Sequence, residues 1–226
     1  MRRLFAVAFL LTSFALAQSS PSPQLEGVIR KMNETAAAFR SAQANFEWDG
    51  YEKVINEVDE IQYGTVYYRR AGNEIEMKAD VAKPAAKEVL FSGGKIQFYI
   101  PNTNQLNIYS VGKNRQEIES YFVLGFGGSG DEMLKQFDVT YQGTEIVNGL
   151  QTEKLHLIPK ADSVKRNISE IILWIDPQRG VSVQQQFFEP QGNYRLAKYS
   201  DIKLNEKIKG DVFAIKTNGN TQTFSH

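Results

Sequence analysis

The sequence predicts one large antiparallel β-sheet of about eleven strands, curled toward a barrel. It adds one N-terminal helix and two short inserted ones. Three observations carry this. Period-two alternation recurs along most of the chain, as in "GKIQFYIPNTNQLNIYS", where Ile96, Phe98 and Ile100 share one face and Leu106 and Ile108 resume the pattern. Turn signals punctuate the alternation. Apolar residues recur at helical spacing in only a few places. The sheet therefore has an apolar face and little helix to cover it: a closed barrel would cover itself, and a half-open one would use its helices as a lid.

The elements follow in order. "MRRLFAVAFLLTSFALAQ" has two arginines, an apolar run from Leu4 to Leu16 and a small-x-small end at Ala15–Ala17. It reads as an export signal over residues 1–17, cleaved after Ala17, with residues 18–226 as one domain. "SSPSP" at 19–23 is a disordered lead-in. Leu25, Val28, Ile29, Met32, Ala36 and Phe39 then form a helical stripe. Strands are expected near 43–51, 53–60, 62–70, 73–81, 86–92, 95–101 and 105–110. More are expected near 137–147, 151–159, 167–176, 181–189, 193–203 and 211–216. Asn148-Gly149 marks a hairpin, and "DPQRG" at 176–180 a tight turn. Short helices are expected near 114–122 and 130–136, joined by a glycine-rich bend.

The 226 residues hold 26 basic and 26 acidic side chains and no cysteine. Without Arg2 and Arg3 the net charge is near −2, which leaves no electrostatic footprint for nucleic acid. The lack of cysteine excludes disulfides, a thiol nucleophile and cysteine-based metal sites. It also excludes lipid modification of an N-terminal cysteine, so a soluble periplasmic protein is expected.

Enzymatic signatures are sparse. His156 and His226 are the only histidines, so a transition-metal site is not expected, and no G-x-S-x-G element supports a serine triad. "GFGGSG" at 125–130 formally matches G-x-G-x-x-G but lacks the strand–helix context of a dinucleotide site. Gly125, Gly127, Gly128 and Gly130 read instead as a flexible bend, a hinge between two short helices. Glu57, Asp59, Glu60, Asp131 and Glu132 read as solvated. Arg69 and Arg70 end the strand "YGTVYYRR". They are either a strand terminus meeting water or a latch, an arginine fork donating to backbone carbonyls of a helical lid.

"YGTVYYRRAGNEIEMKAD", "LFSGGKIQFYIPNTNQLNIYS", "IILWIDPQRGVSVQQQFFEPQGN" and "DVFAIKT" together resemble the LolA family of periplasmic lipoprotein carriers. The resemblance implies an incomplete, half-open antiparallel β-barrel with a helical lid over an apolar cavity for acyl chains. It implies that Arg70, counted from Gly64, holds the lid closed, with Arg69 beside it. It implies cavity walls among Trp48, Tyr67, Phe98 and Tyr109, and among Phe122, Met133 and Leu134 on the lid. The implied partners are acylated lipoproteins or diacyl lipids, an inner-membrane release complex and an outer-membrane receptor, with the protein a monomer and no cofactor. That receptor is itself a lipoprotein, an identity the missing cysteine argues against.

An acyl chain gains about 0.8 kcal/mol per buried methylene, on the order of 12 kcal/mol for sixteen carbons. A carrier must cover such chains and still release them without nucleotide hydrolysis. A periplasmic carrier for lipoproteins or similar lipid is the first expectation. A lipid- or lipoprotein-sensing regulatory module is the alternative, and a hydrolase of low signature the third.

Overall fold

The computed structural model describes residues 22–72, 74–112 and 121–226. The expected export signal over 1–17 and most of the helix expected over 114–122 lie outside the described residues. The chain runs α1 (Pro23–Ala38), β1 (Ser41–Glu52), β2 (Glu57–Ala71), β3 (Glu74–Lys83), β4 (Lys87–Ser92), β5 (Lys95–Ile100) and β6 (Gln105–Ser110). It continues through α2 (Gly130–Gln136), β7 (Phe137–Val147), β8 (Leu150–Pro159), α3 (Asp162–Lys165), β9 (Glu170–Asp176), β10 (Val181–Phe188), β11 (Tyr194–Leu204) and β12 (Gln222–Ser225). The twelve strands form one sheet, ordered β12-β6-β5-β4-β3-β2-β1-β11-β10-β9-β8-β7. All pairs are antiparallel except β12–β6. The sheet ends at β7 and β12 and does not close, so the barrel is incomplete.

Three expected strands need correction. Residues 53–56 are a turn, and 57–71 is one unbroken strand. Val54 and Ile55 imitate a strand, but they sit at the hairpin tip, 94% and 57% exposed, where Asn56 takes a left-handed φ of 56°. Residues 211–216 are also not a strand. Gly210–Phe213 is a 3-10 turn, and the chain reaches the sheet only at β12. The strand expected from 167 starts at Glu170, preceded by α3.

The concave face is covered in two parts. α1 starts on Ser22, whose hydroxyl accepts from Leu25 N at 3.2 Å, with Pro23 in the first turn. Its stripe of Leu25, Val28, Ile29 and Met32 packs with Met133 of α2 against Leu155, Leu157, Ile171, Leu173 and Ile175 of β8 and β9. The other half of the face, from β11 through β1 to β4, forms a second core with Phe39, Val123 and Phe126 laid over it. The convex face carries its own cover. Lys78 is buried there, with Nζ 2.5 Å from Glu88 and 3.3 Å from the carbonyl of Ala214. Phe213 is buried under Arg69, whose guanidinium lies 4.2 Å from the ring centre.

The "DPQRG" turn docks α1. The Asp176 carboxylate accepts from Gln178 N at 2.8 Å and from Arg179 Nε at 2.5 Å, and the turn presents the Arg179 carbonyl to Thr35 Oγ1 at 2.7 Å. Burial alone would raise the Asp176 pKa, but the Arg179 side chain and two backbone amides outweigh it and hold the carboxyl below its ordinary range. A depressed folded pKa gives stability that is present above the unfolded value, near 4, and is lost as pH falls through the folded one. Asp176→Asn is expected to cost roughly 1–3 kcal/mol near neutral pH in urea unfolding. The variant should also lack part of the wild type's stability loss on acidification below pH ~4.

Candidate functional site

The space on the concave face follows from strand register. Ala79 of β3 pairs with Val66 of β2, and Ala197 of β11 pairs with Trp48 of β1. Alanine where a larger residue would fill leaves a void between larger neighbours. The result is a cavity of about 180 Å³, lined by those four residues, Tyr68, Met77, Gln185, Phe187 and Tyr199, and closed from above by Tyr121 and Phe122. Ile168 and Arg195 complete its rim.

Residues 121–128 form the roof. Phe126 is fully buried, stacked on Tyr68 at 5.0 Å and edge-on to Tyr199 at 4.8 Å. Gln185 Nε2 donates to the Leu124 carbonyl at 2.6 Å, and Ser182 N donates to the Gly125 carbonyl at 3.0 Å. The Tyr199 hydroxyl donates to Gln185 Oε1 at 3.1 Å, so one buried glutamine joins roof and wall. Burial pushes the Tyr199 hydroxyl pKa well up, and burial with neighbouring Tyr199 does the same for Tyr68. Both phenols therefore stay neutral at ordinary pH. Among the described residues no group of three His, Asp or Glu side chains is placed to hold a metal.

The expected site residues separate on this frame. Arg70 Nε donates to the Phe39 carbonyl at 3.1 Å and Nη2 to the Ala36 carbonyl at 3.2 Å, at the end of α1. The last turn of α1 has no basic residue of its own, so Arg70 supplies the missing charge from β2. Asn205, which the sequence reading missed, joins it by donating to the Ala38 carbonyl at 3.1 Å. Arg69 points to the convex face, where Nε lies 2.5 Å from Glu76; adjacent strand residues face opposite ways.

Trp48 and Phe122 line the cavity, and Phe122 also stacks on Phe91 at 4.9 Å. Tyr67 lies outside it, on the convex face opposite Lys78. Phe98 and Tyr109 lie outside the cavity too, at the β5–β6 end of the sheet, 39% and 42% exposed. Met133 is buried under α1, and Leu134 packs on the same core.

The bend glycines are packed close. A Cβ on Gly125, at φ +78°, would lie 2.5 Å from Ser182 Cβ; one on Gly127, at φ +88°, would lie 2.7 Å from the Phe39 ring. Gly128 lies against Val123 and Gly130 against Ile29 of α1. These glycines pin one end of the roof, while Tyr121 and Phe122 at the other end are only half-buried. The reading from sequence also missed Gln185 and Phe126. The available signals were a glutamine on the inward phase of "VSVQQQFF" and an aromatic inside the glycine run.

The family model for the outer membrane lipoprotein carrier protein LolA matches residues 37–216. An uncharacterized conserved protein from Thermus thermophilus has a similar structure, with TM-score 0.55 and 13% identity over 90% of this chain and 99% of that one. MucB gives TM-score 0.54 at 12% identity over 90% of this chain and 66% of its own. The Pseudomonas aeruginosa MucA/MucB complex gives 0.50 at 12% over 85% and 61%. At these identities the likeness is one of fold. No curated protein matches in sequence.

Gly127→Ala places a methyl group into the Phe39 ring at a backbone angle that disfavours any side chain. It is expected to cost roughly 1–3 kcal/mol or more, measured as a lowered urea midpoint.

Proposed function

The chain belongs to the family of LolA, the outer membrane lipoprotein carrier protein, and from that premise we propose that it is a periplasmic carrier. In this reading it shields the acyl chains of lipoproteins or a similar lipid on its concave face. It receives them from an inner-membrane release complex and delivers them to an outer-membrane receptor. One observation carries the reading: an apolar cavity lies under a roof segment, residues 121–128, that reaches the wall through two hydrogen bonds and aromatic contacts. The sensing-module alternative shares the cavity and differs in ending on a signalling partner.

Magnitudes decide how the cavity would work. Sites for drug-sized ligands usually enclose about 300–1,000 Å³; this cavity holds about 180 Å³, so a long chain enters only by displacing roof side chains. Phe122 is half-buried and stacked on Phe91, so moving it costs about 0.5–1.5 kcal/mol. Withdrawing Phe126 costs about 1.5–3 kcal/mol of burial, and the bonds from Gln185 and Ser182 about 1 kcal/mol each. Some five to eight methylenes at about 0.8 kcal/mol each offset that. A membrane-length chain therefore opens the roof, and the roof recloses when the chain leaves. Arg70 is the latch in this scheme. It fixes the end of α1, whose Phe39 ring rests against Gly127.

Protein purified from its own periplasm, extracted and analysed by mass spectrometry, should carry lipoprotein or diacyl lipid. Turnover of an added lipid ester would favour a hydrolase instead. Displacement of a fluorescent fatty acid by saturated chains of rising length should steepen beyond some five to eight carbons, by roughly fourfold per methylene. Affinity independent of length would contradict the reading. Arg70→Leu should speed release of bound chain while costing only about 1–3 kcal/mol of stability, because Asn205 still caps α1. If that variant unfolds outright, the latch assignment is wrong.

A further inference from the structure

One wall of the acyl cavity continues into a polar recess. Trp48 and Arg195 line both spaces. Arg195 stands opposite Gly50 and Phe187 in register, exposed at the mouth, and its side chain has no ion-pair or hydrogen-bond partner among the described residues. Among the described residues the buried Trp48 Nε1 donor finds no acceptor at full hydrogen-bond geometry; the Tyr199 hydroxyl is the neighbour close enough for the indole to lower its pKa. Around Arg195 the recess is lined by Glu52, Asp59, Glu60 and Glu189. The Asp59 carboxylate folds over Gly50, 2.7 Å from where a Cβ would stand. Glu60 accepts from Gln62 at 2.5 Å and has a distant lysine, Lys87, at 4.0 Å. No ion pair joins Glu52, Asp59 or Glu189 to a cation among the described residues.

We infer that this mouth reads the ligand's head, and that it selects a zwitterionic lipid whose phosphate ester carries a primary ammonium. The inference rests on the acyl-cavity reading and names the class of lipid that site prefers. At the junction of apolar cavity and polar recess, the ligand atom that arrives is the acyl ester carbonyl, an acceptor suited to the unpaired Trp48 Nε1. The phosphate beyond it meets Arg195. An ammonium one short linker further on meets the carboxylates. A head with phosphate alone would satisfy Arg195 but face the surrounding negative charge with nothing to offset it.

The test uses the delipidated full chain with a bound dansyl-labelled fatty acid. It is displaced by palmitoyl lysophosphatidylethanolamine, palmitoyl lysophosphatidylglycerol and palmitate, which share one chain and differ in head. The ammonium-bearing lipid should bind about tenfold tighter than the glycerol one at low salt, with the ratio falling as salt rises. Arg195→Gln should weaken the ammonium-bearing lipid. The pair Asp59→Asn and Glu60→Gln should bring the ratio toward one by improving the anionic lipid. Thermal melting checks that each variant is folded. Equal affinities for the two phospholipids, or tighter binding of the glycerol lipid, overturn head selection while leaving the acyl cavity standing. If the labelled fatty acid does not bind, or no palmitoyl lipid displaces it, the cavity reading fails and head selection falls with it.

Discussion

An open sheet has one concave apolar face, and a short list of chain segments must cover it. Every other feature of this protein answers to that constraint. A closed barrel would satisfy it with strands alone, but here β7 and β12 stay apart and α1, α2 and residues 121–128 make the cover. The β8–β9 half is covered by the α1 stripe, which leaves Leu155, Leu157, Ile171, Leu173 and Ile175 fully buried. The β11–β1–β2–β3 half is not, because Ala79 and Ala197 leave room that Phe126 only partly takes up. The division of labour is physical. One half is closely packed, and the other keeps a space under residues 121–128.

The cover is held by few polar contacts, and these converge on α1. Its C-terminal carbonyls go to Arg70 and Asn205, and its Thr35 goes to the turn built by Asp176 and Arg179. From there Phe39 reaches Gly127, and the roof reaches β10 through Gln185 and Ser182. A backbone carbonyl left bare under an apolar roof would be costly, so the two roof carbonyls select their partners strongly. Together these contacts define one closed arrangement of the cover.

The convex face is organised differently. Its buried cation, Lys78, has two carboxylates, Glu88 and Asp80, and a backbone carbonyl as partners, and Arg69 roofs Phe213. A buried ion pair adds little net stability after desolvation. It does fix which way the C-terminal segment crosses, because any other path would leave Lys78 with fewer partners. The two arginines at the end of β2 thus serve opposite faces, one the α1 end and one the C-terminal segment, although they are neighbours in sequence.

Alternation, turn chemistry and a single amphipathic stripe determined by themselves that the chain is one curled antiparallel sheet with an N-terminal helix, since both periodicities are written residue by residue. The spread motif pattern carried the family, and within it Arg70 stands six residues after Gly64. Tertiary structure alone decided the rest. Val54 and Ile55 imitate a strand yet form a tip, because local apolarity does not say whether a neighbour strand is present. Tyr67, Phe98 and Tyr109 have the composition of a cavity wall, but face and position along the sheet put them elsewhere. Trp48 meets Ala197, and Phe126 lies between Tyr68 and Tyr199, all drawn from distant stretches of the chain. A void is a property of partners brought together from distant strands, so it exists only once the register is set.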